Sequence, residues 1–507
     1  YHYGPAKDSE EINSFRWWTE EVEPHKTIHA FVKSVTAGQA YKQTQDEKYA
    51  KIYSNRELLG FSASANTRTE QSADMVSNRV SWNIIRSSVD TLTNKIAKTK
   101  PRPLFLTEGG DYSLQKRAKN LTKFMDGQFD ASDVYEAGRL VFRDACIFGT
   151  GVMRIFVDNN EIGVERTFPS EMVIDDNEGI YGSPKQMHQR RYVNRDVLLD
   201  LYGEDDETRH AILAEPVAER GYSTKHKADL ITVIESWHLP TSEEAKDGKH
   251  CLTIENYTLL DEEYEKDYFP FLFFHWSEPL LGFFGTSVSE ELLGTQLELS
   301  KILRNIQRAQ HLIAVPRVYV EKSSGVVSQH IQNSIGSIVK YKGTPPTFYT
   351  PTAMNPEVYQ HAEKLWMRGF EQVGLSQLSA NSQKPAGLNA GVALRTYHDI
   401  ETERFATVVQ RWEQFFLDLS GIMVDMARDL YKDQTNLMVK VKGGKFLEKI
   451  KWGDVDMADD QYILRVFPTN ILPATPEGKL QKAQEFVQAG FWDIETAKKA
   501  MDFPDLE

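Results

Sequence analysis

Cysteine is nearly absent: Cys146 and Cys251 stand alone in 507 residues. Two thiols this far apart give neither a disulfide framework nor a metal-ligand spacing, and they point to a reducing compartment. Cys146 sits in the apolar run LVFRDACIF, where a buried, inert thiol is the default. No apolar run reaches the ~20 residues of a membrane-crossing helix, and nothing resembles a signal peptide. An initiator Met is also missing, so we expect a few residues to precede Tyr1. Positive charge is in deficit, with 59 Lys and Arg against 73 Asp and Glu and a net charge of −14. General nucleic-acid binders carry the opposite excess. That balance argues against wholesale phosphate neutralisation, yet it permits a protein that DNA passes without sticking.

Catalytic signatures are missing too. The chain has no GxxxxGK[ST] phosphate loop, no HExxH, no CxxC and no GxSxG. Its 13 histidines show no pairing at metal-ligand spacing. Gly149-Thr150-Gly151 lacks the third glycine and following helix of a dinucleotide fingerprint, so no cofactor is expected. Asp454, Asp456, Asp459 and Asp460 in WGDVDMADD lack the glycine and terminal glutamate of a calcium loop, and a solvated loop explains them better. Asp175, Asp176 and Glu178, with Lys185 further on, faintly resemble a nuclease acid cluster, but VIDDNEGIYGSP also reads as a strand end and turn. The expectation is a protein that is not an enzyme.

What is present is organisation. Aromatics at 11% argue against a disordered chain, and the length suggests roughly three domains. A helical pattern runs through Phe31, Val32, Tyr49 and Ile52, and SASANTRTEQSA (62–73) reads as a linker. Trp82, Ile85, Val89, Leu92 and Ile96 recur at helical spacing until KTKPRP stops them. Lys95, Lys98, Lys100 and Arg102 gather there. A solvated helix end favoured by the macrodipole is the plain reading, and a phosphate contact the sharper one. Helices follow near 113–129 and 133–147, then a hairpin over 152–168 turning at Asp158-Asn159-Asn160. A second β-rich part spans 229–276, with an acidic helical insert over 194–220 before it. Residues 1–285 therefore predict one α+β domain, or two intimately packed ones.

Residues 286–432 carry the longest helical patterns. The first ends at Pro316 and shows an apolar stripe at Leu299, Ile302, Leu303, Ile306, Ala309 and Ile313, with Lys301, Arg304 and Arg308 on another face. The second, Asn355 to Ala380, has its apolar stripe at Val358, Ala362, Leu365, Trp366, Phe370 and Val373. It presents Gln360, Lys364, Arg368 and Gln372 on the opposite side. A charged outer face is routine for a surface helix. Between them, RVYVE, SIVKYK and Pro345-Pro346 predict a small β tip. The loop NSQKPAGLNAG has the composition of a mobile segment. From Val392 to about Lys432 no proline interrupts the pattern, a helix of roughly 60 Å. Beyond it, LMVKVKG and QYILRVFP read as returning strands and the tail as short helices.

This order resembles the portal proteins, the head-to-tail connectors of tailed double-stranded DNA bacteriophages, with tract content nearest to those of short-tailed phages. The tracts that carry the resemblance are KTKPRPLFL, FGTGVMRIF, LLGFFGTSVSEELLGTQLELSKILRNIQ, QKPAGLNAGVALRTYHDIETERF and RVFPTNILPATPEGKLQKAQEFVQAG. It covers most of the chain, more weakly over 1–60 and the acidic insert. The resemblance implies a mainly helical α+β chain of wing, stem, clip and crown, assembled as a dodecameric ring at one capsid vertex. Residues 1–285 and 433–475 would form the wing, 286–315 and 355–380 the stem helices, and 316–354 the clip. Residues 381–393 would be the tunnel loop, 394–432 the long helix towards the crown, and 476–507 a short crown. DNA would contact Lys384, Lys364, Arg368, Asn381, Gln383 and Asn389 in the channel. Arg317, Lys322, Lys340 and Lys342 would serve docking at the clip. Implied partners are further copies of the chain, double-stranded DNA, the terminase large subunit, head-to-tail adaptor and tail proteins, and major capsid and scaffolding proteins, with no membrane. The implied location is the virion, after assembly in the host cytoplasm. Two other classes stay open: a metal-dependent nucleic-acid-processing enzyme using the Asp175 cluster, and a helical scaffold of another assembly.

Overall fold

The computed structural model describes residues 16–19, 23–55, 82–107, 111–217, 228–242, 244–314, 317–319, 347–349, 355–376, 403–432, 438–442, 447–457, 462–466 and 476–491, with 493, 494 and 497. In chain order, α1 (Pro24–Gly38), α2 (Ala40–Tyr53) and α3 (Ile84–Ile96) precede β1 (Pro103–Leu106), α4 (Tyr112–Ala131) and α5 (Val134–Phe148). Next come β2 (Thr150–Asp158), β3 (Glu161–Thr167), β4 (Met172–Val173), the single turn α6 (Asp176–Gly179), β5 (Gln186–Asn194), α7 (Arg195–Tyr202) and α8 (Asp206–Ala214). Strands β6 (Leu230–His238), β7 (Lys249–Ile254), β8 (Tyr257–Glu263) and β9 (Phe271–His275) lead to α9 (Val288–Ala314). Then follow β10 (Arg317–Tyr319), β11 (Thr347–Tyr349), α10 (Pro356–Val373), α11 (Ala406–Tyr431), β12 (Met438–Lys442), β13 (Leu447–Lys451), β14 (Ile463–Val466) and α12 (Pro476–Gln488). The protein is a mixed α and β chain with several small sheets. It divides into two units: Tyr1–Tyr49 with Val89–Ser289 and Asn389–Glu507, and Ala50–Ser88 with Glu290–Leu388.

In the first unit a five-stranded antiparallel sheet, β4-β5-β6-β7-β8, accompanies a three-stranded one, β3-β2-β9. The β2–β3 turn is Asn159-Asn160, both at positive φ (49° and 63°), the backbone a two-residue hairpin turn demands. The Gly149-Thr150-Gly151 tract is a packing device. Gly149 ends α5 at φ +88°, and a Cβ there would lie 1.9 Å from the Gly285 carbonyl oxygen. Thr150 Oγ1 accepts a hydrogen bond from the Gly285 amide at 3.0 Å. Helix α11 is built into this core, with Trp412 and Phe416 fully buried and the Trp412 ring 5.2 Å from both Phe142 and Phe274. Cys146 and Cys251 are free and buried, and burial pushes both thiols up. The acidic insert forms α7 and α8, capped by Asn194 and Asp205 accepting from the Asp196 and Thr208 amides. The segments LMVKVKG and QYILRVFP supply β12 and β14, and β14 pairs with β1.

Two expected helix limits change. Helix α10 stops at Val373, not Ala380. Gly374, left-handed at φ +86°, takes the C-cap, and the Leu375 amide returns to the Phe370 carbonyl at 2.9 Å. The expected unbroken helix from Val392 has a turn at Arg404-Phe405, and its described part begins at Ala406. Phe405 is buried with its ring 5.6 Å from Lys95 Nζ, so packing sets the backbone where sequence alone offers no breaker. Residues 392–402 lie outside the described residues.

Candidate nucleic-acid interface

The second unit is organised on the seam between α9 and α10. Leu299, Ile302, Leu303 and Ile306 of α9 close on Ala362, with Val358, Leu365 and Trp366 of α10 packed around them. Burying each such aliphatic side chain contributes about 1.5–3 kcal/mol, enough to fix which faces remain outside. A polar clasp sits at one end of the seam. Fully buried Gln296 accepts from the Ile84 amide at 2.8 Å and donates to the Trp82 carbonyl and to Ser300 Oγ, both at 3.0 Å. Trp82 in turn meets Trp366 edge to face at 5.8 Å. Gln296 lies outside the apolar stripe of the first helix. A glutamine one turn ahead of a buried serine is the only sequence trace it leaves.

Helix α10 begins at Asn355, whose Oδ1 accepts from the Glu357 amide at 3.2 Å, with Pro356 in the first turn. Its outer face presents Gln360, Lys364, Arg368 and Gln372, all exposed, as the spacing predicts. Glu357, Glu363 and Glu371 are exposed on the same helix. Neither Lys364 nor Arg368 is held by an ion pair among the described residues, so both heads are available to a passing anion. On α9, Lys301 is exposed and loosely paired with Glu298 at 3.4 Å. Burial raises the Glu291 carboxyl above the ordinary range, with Glu290 adding to it. This surface is sparsely basic and close to neutral.

Arg317 lies in β10, which pairs antiparallel with β11, Arg317 opposite Tyr349. The β tip between α9 and α10 is thus present as RVY against TFY, while SIVKYK lies outside the described residues. Asn381, Gln383, Lys384, Asn389, Lys322, Lys340 and Lys342 lie outside the described residues.

The rival acidic cluster is absorbed by its own turn. Asp175 caps α6 by accepting from the Asn177 amide at 2.8 Å. Asp176 accepts from Gln39 Nε2 and the Phe283 amide, both at 3.2 Å. Glu178 accepts from the Lys185 and Gln186 amides at 2.7 and 3.2 Å. Asp456 lies 3.4 Å from Arg428. Among the Lys95–Arg102 bases, Lys100 Nζ lies 5.3 Å over the Tyr135 ring, a structural cation–π contact.

A separate cleft of about 560 Å³ opens in the first unit beside Arg154, Glu235, His250 and Glu262. Arg154 donates to Glu235 at 2.9 Å, and His250 bridges Glu235 at 3.1 Å and Glu262 at 2.6 Å while stacking on Trp237. Burial pushes the His250 imidazole down, but the hydrogen bonds it donates to the Glu235 and Glu262 carboxylates outweigh it and leave it raised. Burial likewise works to raise Glu235, and the His250 and Arg154 contacts hold it below its ordinary value. These groups are spent on one another.

No family model matches this chain, and no curated protein matches it either.

Proposed function

We propose that this chain is a portal protein: a ring-forming subunit whose α9 and α10 line a channel for double-stranded DNA at one capsid vertex. The observation that carries the reading is the sealed α9–α10 pair, with a two-stranded tip between its helices and two unpaired bases, Lys364 and Arg368, on an otherwise balanced outer face. A conduit must contact its polymer without holding it, because each neutralised phosphate releases counterions and adds to retention. The net charge of −14 per chain, multiplied around a ring, works in the same direction. In this reading the β10–β11 tip docks the packaging motor and later the neck or tail adaptor, and ATP is hydrolysed by a separate terminase. Residues 381–393 form the tunnel loop.

The test replaces residues 382–390 with a short rigid turn. Ring assembly, read by native mass and negative-stain images, stays intact, while packaging or retention of DNA falls. Unchanged packaging in intact rings rejects the tunnel-loop role, and a chain that stays monomeric under every assembly condition rejects the portal reading.

A further inference from the structure

The first unit carries two surfaces of opposite charge, each built around exposed aliphatic side chains. One is the α7–α8 lobe. Val197 and Leu201, one helical turn apart on α7, are 47% and 63% exposed, and Leu213 of α8 is 53% exposed. Asp200 and Glu204 flank Leu201, exposed and engaged by no ion pair among the described residues. The inner side of the same lobe is anchored, since Leu198 and Ile212 pack with Ile231, Val233 and Ile254. Its outer side leaves these aliphatic groups about half exposed or more among the described residues, which marks an interaction surface more than a solvated helix.

The other surface surrounds α4. Residues 112–125 contain four basic side chains and no acidic one, in a chain of net charge −14. Lys116 and Lys119 are exposed on one face of α4, and no ion pair engages either among the described residues. Phe124 meets Trp452 at 5.3 Å and Asn120 Nδ2 donates to the Asp454 carbonyl at 3.0 Å, which fixes α4 beside the exposed Lys451 of β13. The Phe105 amide donates to Thr122 Oγ1 at 3.3 Å, placing β1 against the same helix. At that strand's end Leu106 pairs in register with Ile463 of β14, and both are 40% exposed. Tyr112, at the start of α4, is 79% exposed. The platform is therefore basic with apolar borders.

We infer that these surfaces are the two halves of one contact between copies of the chain, the acidic α7–α8 lobe of one subunit docking on the basic α4 platform of the next. Charge complementarity selects this occupant, because a second copy supplies acidic groups and aliphatic groups together. Duplex DNA would answer the lysines and leave Leu106, Ile463 and Tyr112 unused. The two halves are different patches, so the contact is heterologous. Repeated, it closes a ring or propagates a filament. The inference rests on the ring proposed above and names the surfaces that would build it.

The test uses two charge-reversed variants of the whole chain, K116E/K119E and D200K/E204K. Each alone should need about tenfold or more protein to assemble, since reversal sets like charges against one another. An equimolar mixture should recover assembly, because each reversed patch meets its complement on the other variant. Raising the salt to about 1 M should weaken the wild-type contact. Wild-type rings with both variants assembling normally would overturn this contact and leave the portal reading standing. A wild-type chain that never assembles would remove the reading beneath it. Loss of a duplex-DNA mobility shift in K116E/K119E with assembly unchanged would reassign the platform to nucleic acid and overturn the inference.

Discussion

Removing Arg166 should expose how much of the first unit depends on one buried charge. Asp144 of α5 is fully buried, and the Arg166 guanidinium holds both its oxygens, Nη2 at 2.6 Å and Nε closer still. The same guanidinium lies 4.1 Å over the Phe168 ring. Burial leaves the Asp144 carboxyl raised despite its partner. In R166M the carboxylate loses its hydrogen-bonded partner and keeps only the Coulombic influence of Arg143, and breaking such a pair costs about 3–5 kcal/mol, a large share of the ~5–15 kcal/mol that stabilises a typical domain. Urea unfolding followed by circular dichroism reads the loss. The double variant R166M/D144L should recover much of it, because the destabilisation comes from the stranded charge and not from absent attraction. The pH dependence has a fixed sign. A carboxyl whose folded value is raised binds its proton more readily in the folded state, so the R166M deficit should shrink as the pH falls towards 4. A loss under about 1 kcal/mol, or a double variant no better than the single, would refute the reasoning.

Acid should act through histidine as well. Burial pulls His188 down to about 3, and His29 and His275 to about 4. A histidine held neutral stabilises above its unfolded value near 6.5, and that contribution drains as the pH falls towards 4. Each group adds about 1.4 kcal/mol per pH unit to the slope. H188Q should flatten the slope in urea melts between pH 6.5 and 4, and an unchanged slope would clear His188 of the role. His250, raised by its two carboxylates, contributes the opposite trend, with stability present at low pH and lost as the pH rises through its folded value. At the end of α10, G374V forces a β-branched residue into the left-handed region and should cost about 1–2 kcal/mol in thermal or urea unfolding. A neutral result would mean that Gly374 does not set the helix end.

Local chemistry was legible wherever one residue type decides the backbone. Asn159-Asn160 announced a hairpin because few other pairs tolerate two left-handed residues in succession. The α9 and α10 stripes announced their own seam, since Leu299 to Ile306 and Ala362 to Phe370 repeat at helical spacing. Gly374 is equally visible, but the apolar pattern continues past it to Leu375 and Leu378. What sequence could not show were decisions made at a distance. Phe405, at the turn before α11, is buried with its ring against Lys95, and Gln296 is held in its buried place by backbone groups at Trp82 and Ile84 over two hundred residues away. The acidic residues at 175–178 look alike on paper whether they hold a metal or amides, and only their partners distinguish the two. Of the channel candidates, Lys364 and Arg368 are placed, and both are exposed where the helical spacing put them.

The β10–β11 pair has a mechanical consequence. Helix α9, 27 residues, is a rod of roughly 40 Å, and its far end runs on towards strands only three residues long. A stiff arm ending in a small clasp converts angle into displacement: a tilt of about 3° around the first turn of α9 carries the far end by roughly 2 Å. Displacement of that size exceeds what a hydrogen-bonded contact tolerates. A body gripping the tip would therefore sense the inclination of the helix as a made or broken bond, and the arm would need no change of its own conformation to report it.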